Sequence, residues 1–263
     1  MQYSLAFSPC PNDTFIFDAL VNKKIDTDGI DFDVYLEDVQ TLNEWAIADK
    51  MDISKISYGV LPIIMNKYEL LNSGGALGKG VGPLLVTNKN IKWTDEKTVA
   101  IPGKNTTAHL LFTLAFPAAK NKIFKVFNEI EDAVLSGEVD AGVIIHENRF
   151  TYEQKGLTKQ MDLGAYWEEK LKVPIPLGGI VIKKNIDQKI AKKIDELIRK
   201  SIEYAFEYYP SISDYVKLHS QEMDEEVMRK HINLYVNEYS INLGNDGLAA
   251  VNKLISISKS IVT

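Results

Sequence analysis

The sequence predicts an α/β fold of two lobes around a cleft, and three observations carry that expectation. Strand-like and helix-like segments alternate along the first two thirds of the chain, the pattern of a mainly parallel sheet covered by helices. Two apolar strand-like runs, near 84–87 and 178–183, bracket a compact α/β section. A smaller lobe of residues 88–178 is therefore expected inside a larger, discontinuous lobe of residues 1–87 and 179–263. Two strands crossing between such lobes make a hinge, with the ligand between them. The last part, from about 186 to 261, is expected to be helical. Ile190, Ile194, Leu197, Ile198 and Ile202 repeat there with a 3.6-residue period.

The elements follow in order. Residues 2–7 form a strand, then Ser8-Pro9-Cys10-Pro11 turns, and Asn12 and Asp13 can cap a helix of about 12–22. Phe32, Val34 and Leu36 alternate with polar residues, a half-buried strand. Val39, Leu42, Trp45 and Ala46 have helical spacing over 39–49. A short strand at 52–56 leads to Ser57, a cap for a helix over 58–66, and residues 68–71 form another strand. Five glycines fall within 74–83. That stretch lacks the Gly-Lys-Ser/Thr ending of a phosphate loop and runs into a strand, so it reads as a bend between lobes. Strands at 98–101, 122–127 and 140–145 then alternate with helices at 106–116 and around 132–135.

Composition narrows the function. The 263 residues are 45% hydrophobic and 25% charged, with a net charge of −6. That is a folded globular composition. No basic patch dominates, which argues against a nucleic-acid partner. No apolar run approaches bilayer length, so no membrane partner is expected. Cys10 is the single cysteine, which excludes an internal disulfide and a zinc site built on several cysteines. No His, Asp or Glu spacing suggests a metal. The chain begins on a strand with no signal-like segment, so a cytoplasmic location is expected.

Ligands of open α/β sheets sit beyond the carboxyl ends of the strands. Four such junctions carry small polar residues: Ser8 to Thr14, Ser54 to Tyr58, Lys104 to Ala108, and His146 to Asn148. Three open helices, whose free N–H groups suit a carboxylate or phosphate. Asn12, Thr14, Thr106, Thr107 and Ala108 are candidate contacts on this ground. Asn105 is the expected cap of the helix at 106, with the two threonine hydroxyls beside its free amides; the competing reading is that these threonines merely cap the helix. Lys55 is either a partner for an anionic ligand or a solvated strand-end lysine, and Ser57 doubles as a cap and a hydroxyl donor. His146 ends an apolar strand, opposite the Thr106-Thr107 helix, where an imidazole can take a proton near neutrality. The competing reading is a histidine satisfied by local hydrogen bonds. His109, His219 and His231 lie within helices and read as incidental. Cys10 reads as a cleft-wall residue, although a helix N-terminus would lower the pKa of a thiol there.

Taken together, Ser8-Pro9-Cys10-Pro11-Asn12-Asp13-Thr14-Phe15, Ser54-Lys55-Ile56-Ser57, Thr106-Thr107-Ala108 and Gly142-Val143-Ile144-Ile145-His146-Glu147 resemble the 1,4-dihydroxy-6-naphthoate synthase family of the futalosine route to menaquinone. The resemblance covers roughly residues 2 to 183. It implies a type II periplasmic-binding-protein-like fold adapted to catalysis. It implies conversion of cyclic dehypoxanthine futalosine, an anionic small molecule, to 1,4-dihydroxy-6-naphthoate with release of dihydroxyacetone. It further implies that His146 is the proton acceptor and that Lys55, Ile56, Ser57, Thr107 and Ala108 contact the substrate. Loss of the fragment aromatises a ring, so no cofactor is expected. The alternatives are a non-catalytic binding protein for a small carboxylate and the related chorismate dehydratase.

Overall fold

The computed structural model describes residues 1–220 and 224–262. Six strands form the first sheet: β1 (Gln2–Phe7), β2 (Asp31–Leu36), β3 (Ile53–Ser57), β4 (Tyr68–Leu70), β5 (Ala76–Gly78) and β11 (Ile175–Lys183). Their order is β2-β1-β3-β11-β4, with β5 also beside β11. Five form the second sheet: β6 (Leu84–Asn88), β7 (Val99–Ile101), β8 (Lys122–Phe124), β9 (Ala141–Ile144) and β10 (Leu157–Asp162). Their order is β10-β6-β9-β7-β8.

Both sheets are mixed, a correction to the mainly parallel expectation. β6 runs antiparallel to β9 and β10, and β11 antiparallel to β3, β4 and β5, while β1 pairs in parallel with β2 and β3, and β7 with β8 and β9. The reversed strands are the ones by which the chain enters the second sheet and returns to the first. A parallel neighbour needs a long crossover, and neither strand is reached by one from within its own sheet. The other strands of each sheet share a direction, so their carboxyl ends gather along one edge.

Helices cover the sheets. α1 (Pro11–Val21) and α8 (Gln188–Tyr208) pack together on the first sheet. The apolar stripe of α8 is buried at Ile194, Leu197, Ile198 and Ile202. Ser201 lies in the same stripe, where its Oγ donates to the Ile16 carbonyl (2.6 Å) and accepts from the Leu20 amide (3.1 Å). Phe7 and Phe17 stack at 4.4 Å beneath this pair. α12 (Gly244–Val262) packs on β11, on α3 (Leu61–Ile64) and on α4 (Thr107–Ala115), bridging elements of both sheets. The helical expectation for 186–261 falls partly on residues 221–223, which lie outside the described residues.

Several local expectations shift. The helix expected over 58–66 shrinks to α3, because the Val60 amide bonds the Ser57 carbonyl (3.1 Å) and residues 58–60 turn instead. The strand expected over 122–127 ends at Phe124, and Phe127–Glu129 is a 3₁₀ turn. β5 within the glycine-rich stretch, β10, and α7 (Leu163–Leu171) were not anticipated. Arg149 holds the end of the glycine-rich segment: its guanidinium bonds the Gly82 carbonyl, the Gly80 carbonyl (2.8 Å) and Asp162 (3.1 Å).

The two halves of the molecule touch where Gly59 meets the start of α4. The Gly59 amide donates to Thr107 Oγ1 at 3.0 Å. A Cβ on Gly59 would sit 2.8 Å from the Thr106 carbonyl carbon and 2.9 Å from the Thr107 nitrogen, both backbone atoms. Gly59→Ala is expected to push these segments apart and to destabilise the fold by about 1–3 kcal/mol. Thermal unfolding checks this; an unchanged Tm would show that the approach is not tight.

Candidate active site

The strand ends meet at one cavity of about 690 Å³, part of it open to solvent. The first sheet and its helices supply Ser8, Asn12, Lys55, Ile56 and Ser57, the second supplies Thr106, Thr107, Ala108 and His146, and Leu42, Val81 and Leu177 add apolar walls. All but one of the predicted site residues thus come together. The exception is Thr14, which does not line the cavity. It is fully buried, and its hydroxyl donates back to the Cys10 carbonyl (3.1 Å), inside its own helix.

α1 starts one residue earlier than expected. Cys10 is its N-cap residue and Pro11 its first helical residue, where a missing N–H costs nothing. Asp13 then reaches back: it accepts from the Ser8 amide (3.3 Å) and hydroxyl (2.7 Å) and from Asn12 Nδ2 (2.8 Å). It also pairs with Lys55 Nζ at 2.9 Å, and Lys55 donates in addition to the Gly74 carbonyl (2.9 Å). Both partners are buried. Lys55 is therefore neither solvated nor an unpaired cation awaiting a ligand. Asn12 Oδ1 is buried with no donor among the described residues, an acceptor available to a ligand hydroxyl.

Thr106, not Asn105, caps α4: its Oγ1 accepts from the His109 amide (3.2 Å). The threonine hydroxyls donate internally, Thr106 to the Gly103 carbonyl (2.9 Å) and Thr107 to the Leu177 carbonyl (2.8 Å). What α4 offers the cavity is the first-turn amides of Thr107 and Ala108, which no helical carbonyl reaches. Ser57 is not a cap either. Its amide donates to Asn43 Oδ1 (2.8 Å) and its Oγ accepts from Asn43 Nδ2 (3.1 Å), which also donates to the Asn105 carbonyl (2.9 Å). Asn43, fully buried on α2 (Val39–Ile47), thereby ties β3 to the segment before α4. Sequence reasoning missed it. The signal was there: Val39, Leu42, Asn43 and Ala46 form one helical stripe, and Asn43 is its single polar member.

His146 follows β9 with φ +56°, a left-handed residue that ends the strand and turns the chain into α6 (Asn148–Thr151). Such strain gathers at functional sites. β9 pairs with β7, so His146 and the start of α4 lie at neighbouring strand ends of one sheet and not on opposite walls as expected. Phe127 packs edge-on against the ring at 5.0 Å and His231 at 5.9 Å. Burial pushes the imidazole below its ordinary range, while the Glu147 carboxylate pulls the other way. His231, on α10 (Glu225–Tyr235), is fully buried with neither ring nitrogen bonded among the described residues. Burial and then the neighbouring His146 hold it well below the usual range. It is therefore a neutral ring packed against His146 from behind the cavity lining, not an incidental helix residue. Cys10 is buried, and burial, then Glu147, raises its pKa well above the ordinary thiol value. The expected lowering by the helix N-terminus is overturned, and the group is a thiol, not a nucleophilic thiolate. Cys10 Sγ, a His146 ring nitrogen and a Glu147 carboxylate oxygen lie within 4.8 Å of one another, a grouping that no linear spacing announces.

The two sheets and the cleft between them define a two-lobed α/β fold. The periplasmic aliphatic sulphonate binding protein of Escherichia coli shares it with a TM-score of 0.69 at 9% identity, over 98% of this chain and 87% of that one. The model of the menaquinone biosynthesis family matches residues 3–260, and the chain belongs to that family of enzymes. It is 40% identical over 252 residues, 96% of this chain and 92% of the relative, to the 1,4-dihydroxy-6-naphthoate synthase of Thermus thermophilus. A structure of a protein from Archaeoglobus fulgidus matches with a TM-score of 0.93 at 32% identity, over 98% and 97% of the two chains. Among the described residues no helix is long and apolar enough to cross a membrane.

Asn43→Ala leaves the Ser57 amide and the Asn105 carbonyl without their partner. It is expected to cost about 2–3 kcal/mol and to raise KM, as the cavity rim loses its tie. Denaturant unfolding and steady-state kinetics check both; wild-type values would remove Asn43 from the site's support.

Proposed function

We propose that this enzyme is a carbon–carbon lyase that converts cyclic dehypoxanthine futalosine to 1,4-dihydroxy-6-naphthoate, with release of dihydroxyacetone, in the cytoplasm. The family and the relatives' names support the reaction. One observation carries the mechanism: His146 lines the same cavity as Thr107 and Ala108, the first residues of α4. An anion and a base can thus act on one molecule.

The substrate carboxylate docks on the Thr107 and Ala108 amides, where the helix end favours negative charge. Ser57 is the poorer candidate, because its amide already donates to Asn43. The aromatic part lies along Leu42, Ile56 and Leu177. The sugar-derived part faces His146, with Asn12 Oδ1 accepting from a hydroxyl. His146 takes a proton beside an oxygenated carbon, and the bond to the three-carbon fragment breaks as the ring becomes aromatic. The substrate supplies every electron in that sequence, so no redox cofactor is called for. Movement of the two lobes would exclude water from the intermediate. The binding-protein and chorismate dehydratase readings are not favoured, given the synthase named at 40% identity.

His146→Ala is expected to fold and bind while kcat falls by roughly 10²–10⁴. The assay is incubation with the cyclic substrate and detection of the naphthoate; full activity in the variant would remove His146 from the mechanism. In the wild type the base must be neutral. Because burial lowers its pKa, kcat/KM should be flat above and fall only below about pH 6.5, the ordinary imidazole value. An acid limb well above that value contradicts the assignment.

A further inference from the structure

Glu147 follows the base directly, and its carboxylate has a setting the mechanism above does not use. The residue is 7% exposed, and Oε2 is buried with no hydrogen-bond partner. No cation pairs with it among the described residues. A Glu147 carboxylate oxygen lies within 4.8 Å of a His146 ring nitrogen. The His146 ring, in turn, receives no hydrogen bond from any described residue and is held only by the edges of Phe127 and His231. A buried carboxylate without a counter-charge is unfavourable unless a positive charge forms beside it.

We propose that Glu147 is a positioning residue that acts through His146, orienting the imidazole and balancing the charge it gains on taking the substrate's proton. The inference rests on His146 being the base. The proton moves from substrate carbon to the ring nitrogen facing the cavity. The other ring nitrogen keeps its proton and donates toward the Glu147 carboxylate. No group is oxidised or reduced.

The other groups around His146 do not supply this. From α1, Asp13 faces the ring but is neutralised by Lys55 of β3, and the two act on His146 in opposite directions. Asp38, before α2, acts on it more weakly than these. Cys10 is a protonated thiol, its pKa raised by burial and then by Glu147. From α10, His231 is neutral and Tyr235 is held protonated by burial. Glu147 is the foremost influence that favours the charged imidazole.

The test is Glu147→Gln beside Glu147→Asp in the full chain. The Gln variant should lose on the order of 10² in kcat with KM nearly unchanged, and its acid limb of kcat/KM should move to lower pH. The Asp variant keeps the charge, so it should recover part of kcat and keep the limb near the wild-type position. A Gln variant with wild-type kcat and limb overturns the proposal. So does an Asp variant no better than Gln, since a space-filling role would not tell charge from amide. An NMR titration of His146 in the wild type and in each variant needs no substrate. The midpoint should fall in Gln and hold in Asp; equal midpoints in all three overturn the proposal. Because that titration stands apart from turnover, it decides the role of Glu147 even if the wild type fails to convert the cyclic substrate. If Gln does not fold, Glu147→Ala takes its place, with the same expected fall in the midpoint and the same overturning result.

Discussion

The buried Asp13–Lys55 pair is the interaction around which the cleft is built. Asp13 lies in the first turn of α1 and Lys55 in the middle of β3, so the pair fixes a helix start to the middle of a strand on the floor of the cavity. Each charge is hydrogen-bonded beyond the pair itself, Asp13 by Ser8 and Asn12, and Lys55 by the Gly74 carbonyl. That satisfaction is what makes a buried pair tolerable; removing one partner alone typically costs about 3–5 kcal/mol. The floor of the site is therefore rigid and close to neutral. It leaves attraction for an acidic ligand to the backbone amides of α4 and proton transfer to the imidazole.

The direction of the strands explains why these parts meet. With β6 and β11 reversed, the remaining strands of each sheet share a direction, and the polar cavity contacts lie on or just after one of them. Ser8 and Asn12 follow β1, Lys55 and Ser57 lie in β3, Thr107 follows β7, and His146 follows β9. The left-handed turn at His146 belongs to the same logic: it stops β9 and leaves the ring at the sheet edge. Most of the groups packed around that ring are buried, and a low-dielectric setting magnifies each remaining charge. This is why the absence of a partner for Glu147 carries more weight than it would at the surface.

Much of this was legible in the sequence. Alternation gave the α/β class, the apolar stripe gave α8, and the polar strand ends gave nearly all of the polar residues that line the cavity, though not its apolar walls. What the sequence hid was which polar atoms would be consumed internally. Local spacing cannot show that Thr107 Oγ1 reaches Leu177, that Lys55 is paired, or that Thr14 turns back into its helix, because each partner is set by packing. Asn43 and His231 were half visible. Each sits in a buried helical stripe, His231 with Met228, Ile232 and Tyr235. A polar residue in such a stripe needs a reason. The mixed sheets were misread because strand direction depends on connections between lobes, which periodicity does not record.

The central claim is geometric: one cavity holds an acid group on the α4 amides while the His146 imidazole meets the rest of the molecule. A crystal structure of the His146→Ala variant with the cyclic substrate tests it most directly. The account predicts carboxylate oxygens within hydrogen-bond distance of the Thr107 and Ala108 nitrogens, with the sugar-derived ring beside the space the imidazole occupied. A carboxylate bound elsewhere, with that space facing solvent, would contradict it.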